Sequence, residues 1–156
     1  MRAVAARLGV TPMALYRHVR NKQDLLDGLV ERLLAELPIP DARLPWDERL
    51  RAMAASLRAT AARHPDVFLM LLHRPVMTPA AIGTREAVYD ALRDGGVSEA
   101  LIPRLERLLS TFVIGFAASE AGGRFAMHDH SLLDADIEAG LEGFFAAVER
   151  LAAQTA

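Results

Sequence analysis

Between its prolines and glycines this chain repeats apolar residues every three or four positions. Leu25, Leu26, Leu29, Leu33 and Leu37 form one such face, and Leu50, Met53, Leu57 and Ala61 a second. Ile137, Leu141, Phe144, Phe145, Val148 and Leu151 form a third. That is the period of an α-helix and not of a strand. Composition agrees: of 156 residues, 28 are Ala and 23 Leu, while Val, Ile and Thr together number 21. So few β-branched residues argue against a sheet. An all-α fold is expected, and a chain of this length that is 52% hydrophobic can bury a sizeable core.

The breakers divide the chain into eight helical stretches. Gly9 stops a first helix over 2–8, and Thr11 with Pro12 opens a second that runs to Val19. Asn21 is placed to cap a third, through Leu37. Residues 38–45 hold three prolines and cannot continue it, so they read as a linker. After the linker come helices over 46–64, 66–73 and 79–95. A long helix follows, capped by Ser98 and ending at Glu120, and a last one spans 134–153. Two domains are expected, 1–37 and 46–156.

Charge is unevenly spread. The net charge is −2, yet residues 1–23 hold Arg2, Arg7, Arg17, Arg20 and Lys22 with no acid, for +5, which leaves −7 on the rest. A basic head on an acidic body fits a polyanion partner, although a short Arg-rich surface helix reads the same way. There is no Cys, which excludes disulfides and thiolate metal sites and fits a cytoplasmic location. The longest uncharged apolar run, 108–119, is too short to span a bilayer, so no membrane partner is expected.

The first two helices make a helix-turn-helix pattern. Ala5 lets the helices cross closely, Gly9 accepts the turn, and Val10, Leu15 and Val19 seal the contact. A second helix that docks in a major groove must then present its N-terminal end outward. Met13, Ala14, Arg17 and His18 lie on that side with Tyr16 at the flank, and the amide-rich start at Thr11 and Pro12 suits a phosphate.

The wider string is more specific. The run from Arg2 to Asp27, with Leu15-Tyr16-Arg17-His18-Val19, Asn21-Lys22 and Asp24-Leu25-Leu26, resembles the DNA-binding region of the TetR family of bacterial transcriptional regulators. Trp46, the Arg74-Pro75 step, Gly95-Gly96 and the run from Phe112 to Gly115 look like the tetracycline-repressor type of regulatory domain. The resemblance implies phosphate contacts for Tyr16 and Lys22, with Arg2, Met13, Ala14, Arg17 and His18 facing base edges or backbone. It also implies a homodimer built on the last two helices and a cavity for a small-molecule inducer within 46–130. Family members carry about one more helix before the motif. Without it, part of the face made by Val4, Leu8, Leu15 and Val19 is expected to meet solvent. Met70 falls where tetracycline repressors carry a metal-coordinating His, so a tetracycline–magnesium ligand is not expected.

Candidate cavity residues are Phe68, Met70, His73, Tyr89, Phe112, Phe116 and Met127, with plain core as the competing reading. Ile114, Leu141, Phe144, Val148 and Leu151 are the candidate dimer contacts. His128-Asp129-His130 has ligand chemistry but lacks a third spaced ligand and reads as a solvated loop, so no metal and no cofactor are expected. No nucleophile elbow or phosphate loop is visible, and no enzyme is expected. The function indicated is a ligand-responsive DNA-binding regulator, in this family most often a repressor. A truncated helical ligand-binding or scaffolding protein that no longer binds DNA is the alternative.

Overall fold

The computed structural model describes residues 1–73 and 78–154. Among these the regular elements are all helical. The order is α1 (Arg2–Arg7), α2 (Pro12–Tyr16), α3 (Lys22–Ala35), α4 (Trp46–Arg63) and α5 (Pro65–Phe68), then a 3-10 turn (Leu69–His73). After it come α6 (Pro79–Asp94), α7 (Ile102–Ala121) and α8 (His130–Ala153). The Arg74-Pro75 step of the sequence resemblance lies outside the described residues, as does the side chain of His73.

Local chemistry sets most of these boundaries. Asn21 caps α3 by accepting the Asp24 amide at 2.9 Å, and Thr78 caps α6 at Ala81. Several boundaries differ from the expectation: α3 ends at Ala35, two residues short of Leu37, the 66–73 stretch is α-helical only to Phe68, and three further differences have a local cause. The second helix closes at Tyr16, because the His18 amide bonds to the Leu15 carbonyl and tightens the last turn. Ser98 does not cap α7: its carbonyl accepts from the Leu101 and Ile102 amides in a separate turn, and the helix begins where Pro103 falls in its first turn. The last helix starts four residues earlier than expected, since Asp129 accepts the Ser131 amide at 2.9 Å and caps it.

Two apolar clusters hold the molecule together. The larger joins α4, α6, α7 and α8 around Leu50, Leu92, Ile102, Leu105, Leu109, Val113, Leu141, Phe145 and Val148, each no more than 5% exposed. Trp46 meets Phe145 edge-on with ring centroids 5.4 Å apart. The smaller cluster ties Val30, Leu33 and Leu34 of α3 to Ala61, Phe68, Ala117 and Ala118. The end of α3 is thereby packed into the body of the protein, while α1 and α2 keep only Ala5 and Leu15 buried.

Candidate functional site

The helix-turn-helix is built by short-range bonds. Gly9 sits at φ +67°, the left-handed region that glycine enters without a steric penalty. Thr11 then accepts the Ala14 amide at 3.1 Å, so α2 begins cleanly at Pro12 and its first turn is presented outward. Of the nine residues expected to face DNA, Arg2, Thr11, Pro12, Met13, Tyr16, Arg17, His18 and Lys22 are exposed, and Ala14 is half-buried. Arg2 lies on α1, Pro12, Met13, Ala14 and Tyr16 on α2, Thr11, Arg17 and His18 just outside the ends of α2, and Lys22 opens α3, so all nine fall at the N-terminal end of the chain.

The electrostatics of that end are one-sided. Arg20 is the only one of its five cations held in an ion pair among the described residues, 2.9 Å from Asp24. The Arg20 guanidinium and amide together hold the Asp24 carboxyl below its ordinary value. Among those residues Arg2, Arg7, Arg17 and Lys22 have no carboxylate partner and are exposed to solvent. Val4 and Leu8 are also exposed, Leu8 at 62%, while Leu15 is buried and Val19 half-buried; Val10, expected to seal the helix contact, is 44% exposed.

A cavity of about 240 Å³ opens in the body. Leu34, Leu37 and Ile39 close one side, Leu50, Met53 and Leu57 of α4 another, and Leu71 adds to the wall. Thr84, Arg85 and Val88 come from α6, and Glu106, Leu109, Ser110, Val113 and Ile114 from α7. Its wall is largely apolar with a few polar groups, the usual make-up of a small-molecule site, although its volume falls just below the range of about 300–1,000 Å³ common for drug-sized ligands.

The aromatic candidates for this cavity are engaged elsewhere. Phe68 is fully buried in the smaller cluster with Met70 packed beside it. Tyr89 and Phe112 pack on the larger cluster. Phe116 packs on Phe125 with centroids 5.5 Å apart, and Met127 is 96% exposed. None of these lines the cavity; the His73 side chain lies outside the described ones. The rings fill gaps between helices, and the cavity lies elsewhere on those helices. The residues that do line it carry one signal in the sequence: Arg85 and Glu106 each interrupt an apolar helical stripe.

The candidate dimer residues also divide. Leu141 and Val148 are buried within a single copy, Ile114 turns to the cavity, and Phe144 and Leu151 are half-buried against the larger cluster. The face of α8 opposite that cluster is instead Leu132, Ala135, Ala139 and Gly143, all exposed. On α7 the outward residues include Leu108, 55% exposed, and Thr111. A Cβ added at Gly143 would meet no atom within 4 Å, so that face is open to close approach. In the 128–130 segment Asp129 serves as a helix cap and is held below its ordinary carboxyl value chiefly by the Ser131 amide. No group of three metal-ligating side chains and no helix long and apolar enough to cross a membrane is present among the described residues.

Comparison with known proteins places these features in context. Residues 39–150 match the family described as tetracyclin repressor-like, C-terminal domain. The HTH-type transcriptional repressor DrrR1 of Streptomyces coeruleorubidus is 32% identical over 138 residues, covering 87% of this chain and 51% of that protein. The TetR family protein ActR of Streptomyces coelicolor, solved in complex with actinorhodin, superposes with a TM-score of 0.81 at 27% identity, covering 97% of this chain and 87% of that one. BioQ, solved with its natural double-stranded DNA operator, superposes with a TM-score of 0.72 at 26% identity, covering 96% and 84%. The chain spans about half the length of the curated relatives it matches.

Proposed function

The chain belongs to the TetR family of regulators, and on that footing we propose that it is a ligand-responsive, DNA-binding transcriptional repressor that works as a homodimer in the cytoplasm. It acts by binding and not by catalysis. Residues 1–37 read the operator and residues 46–156 sense the ligand and dimerise. Tyr16, Lys22 and the helix start at Thr11 and Pro12 hold phosphates, while Arg2, Met13, Ala14, Arg17 and His18 face the groove or its backbone. The dimer forms on the outer faces of α7 and α8, where Ala135, Ala139 and Gly143 admit a partner helix closely and Leu108 and Leu132 supply apolar area.

One observation carries the reading. Leu34, near the end of the helix that follows the DNA-facing motif, and Leu37, two residues past that helix, line the same cavity as α4, α6 and α7. A second link runs from Glu31 of α3, whose carboxylate accepts the Ala80 amide at the start of α6 at 3.3 Å. A ligand that fills the cavity therefore bears directly on α3. A dimer fits operator half-sites when its two α2 helices stand one DNA turn apart, roughly 34–36 Å, or a multiple of it. Any ligand that favours another spacing weakens DNA binding by linkage.

A gel-shift assay against DNA flanking the chain's own gene tests this. Retention of one fragment, released by a compound that also raises the melting temperature, is the expected result. A protein that dimerises and binds a compound but retains no fragment at any salt concentration would instead be the helical ligand-binding alternative.

A further inference from the structure

Two charges stand in core-facing registers without a partner among the described residues. The inward stripe of α6 runs Ala81, Arg85, Val88 and Leu92, and that of α7 runs Ile102, Glu106, Leu109 and Val113. Both follow the i, i+4, i+7, i+11 spacing of a single helical face. Leu92, Ile102, Leu109 and Val113 are each no more than 5% exposed, so these faces point into the body. Arg85 and Glu106 are half-buried and line the cavity, and neither side chain makes a hydrogen bond or ion pair among the described residues. By contrast, Arg49, another cation on a buried face of this core, is matched by Asp94 at 2.5 Å.

Unpaired charges at the wall of an otherwise apolar cavity select what can enter it. A wholly apolar ligand displaces their water and returns no hydrogen bond, which is unfavourable for both. A guanidinium presents a planar fork of donors that matches a carboxylate, and a carboxylate accepts from any hydroxyl or ammonium. We infer that the ligand is a small amphiphile: an apolar body with a carboxylate or similar oxyanion for Arg85 and a hydrogen-bond donor for Glu106. The inference rests on the cavity being the sensor site and narrows it to one ligand class.

A matched series on one carbon skeleton tests it: naphthalene, 2-naphthol, 2-naphthoate and 6-hydroxy-2-naphthoate, titrated by fluorescence into the intact chain. The hydroxynaphthoate is expected to bind at least about tenfold tighter than naphthalene, each added group contributing part of the gain. Arg85→Met should abolish the advantage of the carboxylate, and Glu106→Met that of the hydroxyl, while naphthalene binds both variants at least as well as the parent. That retained binding shows that the variants are folded. Naphthalene binding as tightly as hydroxynaphthoate, or a carboxylate advantage that survives Arg85→Met, overturns the ligand class and leaves the sensor reading standing. Failure of all four to bind sinks the sensor reading and this inference with it.

Discussion

Arg58 of α4 grips Glu120 of α7 through two parallel hydrogen bonds, Nε to Oε2 at 2.5 Å and Nη2 to Oε1 at 2.8 Å. Both side chains are about four-fifths shielded from solvent, with 20% and 18% exposed. The guanidinium also lies 5.9 Å from the Phe116 ring centre. Planar bidentate geometry of this kind is stronger than a surface pair. Glu120→Gln should keep the shape and lose the charge, costing about 2 kcal/mol. For a chain this size that is a fall in melting temperature of roughly 4–8 °C. An unchanged melting curve would mean that the pair contributes nothing.

Lys22 is exposed and makes no ion pair among the described residues. Removing one phosphate contact lowers the slope of log affinity against log salt by about 0.9. A dimer carries two copies, so Lys22→Ala should flatten that slope by nearly two while leaving operator preference intact. A change in sequence preference with an unchanged slope would place Lys22 against a base and not a phosphate.

Ala139 lies at the middle of the open face of α8, between Ala135 and Gly143. Ala139→Arg should keep helix content and convert the protein to a monomer by analytical ultracentrifugation. Fragment retention in the gel-shift assay should fall with it. A dimer that survives Ala139→Arg moves the interface off this face.

Stability should be uneven along the chain. Leu8 is 62% exposed and Val10 44%, whereas α7 alone buries six residues. A buried Leu or Val contributes roughly 1.5–3 kcal/mol, so α1 and α2 lack that support. Amides of residues 2–19 should exchange hydrogen fastest among the helices, with those of α7 slowest. Binding of the operator fragment should slow the first group selectively. Uniform protection across the two would contradict the burial pattern.

Acid should loosen the start of α3 only at low pH. The Asp24 carboxyl is held below its ordinary value of 3.8 by bonds from Arg20. A depressed folded-state value stabilises above the unfolded one and is lost as pH falls through the folded one. The contribution is therefore complete near neutral pH and disappears only below about pH 4. Asp24→Asn should remove that acid-linked step in the amide exchange of residues 22–25. A step that persists in the variant assigns it to another carboxylate.

The parts of this protein that its sequence determines alone are those governed by neighbours a few residues away. Gly9, Thr11-Pro12, Asn21 and Thr78 each act through a bond or dihedral within one turn, and each stands where the sequence pattern puts it. The same short range explains the exposed N-terminal end, since a two-helix motif orients its side chains almost by itself. Asp129 is a cap by the same rule, but it stands between two histidines whose ligand chemistry suggests a different role. The cavity and the open face of α8 belong to a different scale. Periodicity says that Phe112, Leu141 and Val148 face inward or toward another helix, but not which helix. The closeness of Gly140 to the Phe112 ring draws α7 and α8 together and uses those residues within one copy. Arg85 and Glu106 take their meaning only from packing that brings α6 beside α7, because whether a charge is matched depends on every group near it in space and not on the residues next to it in the chain.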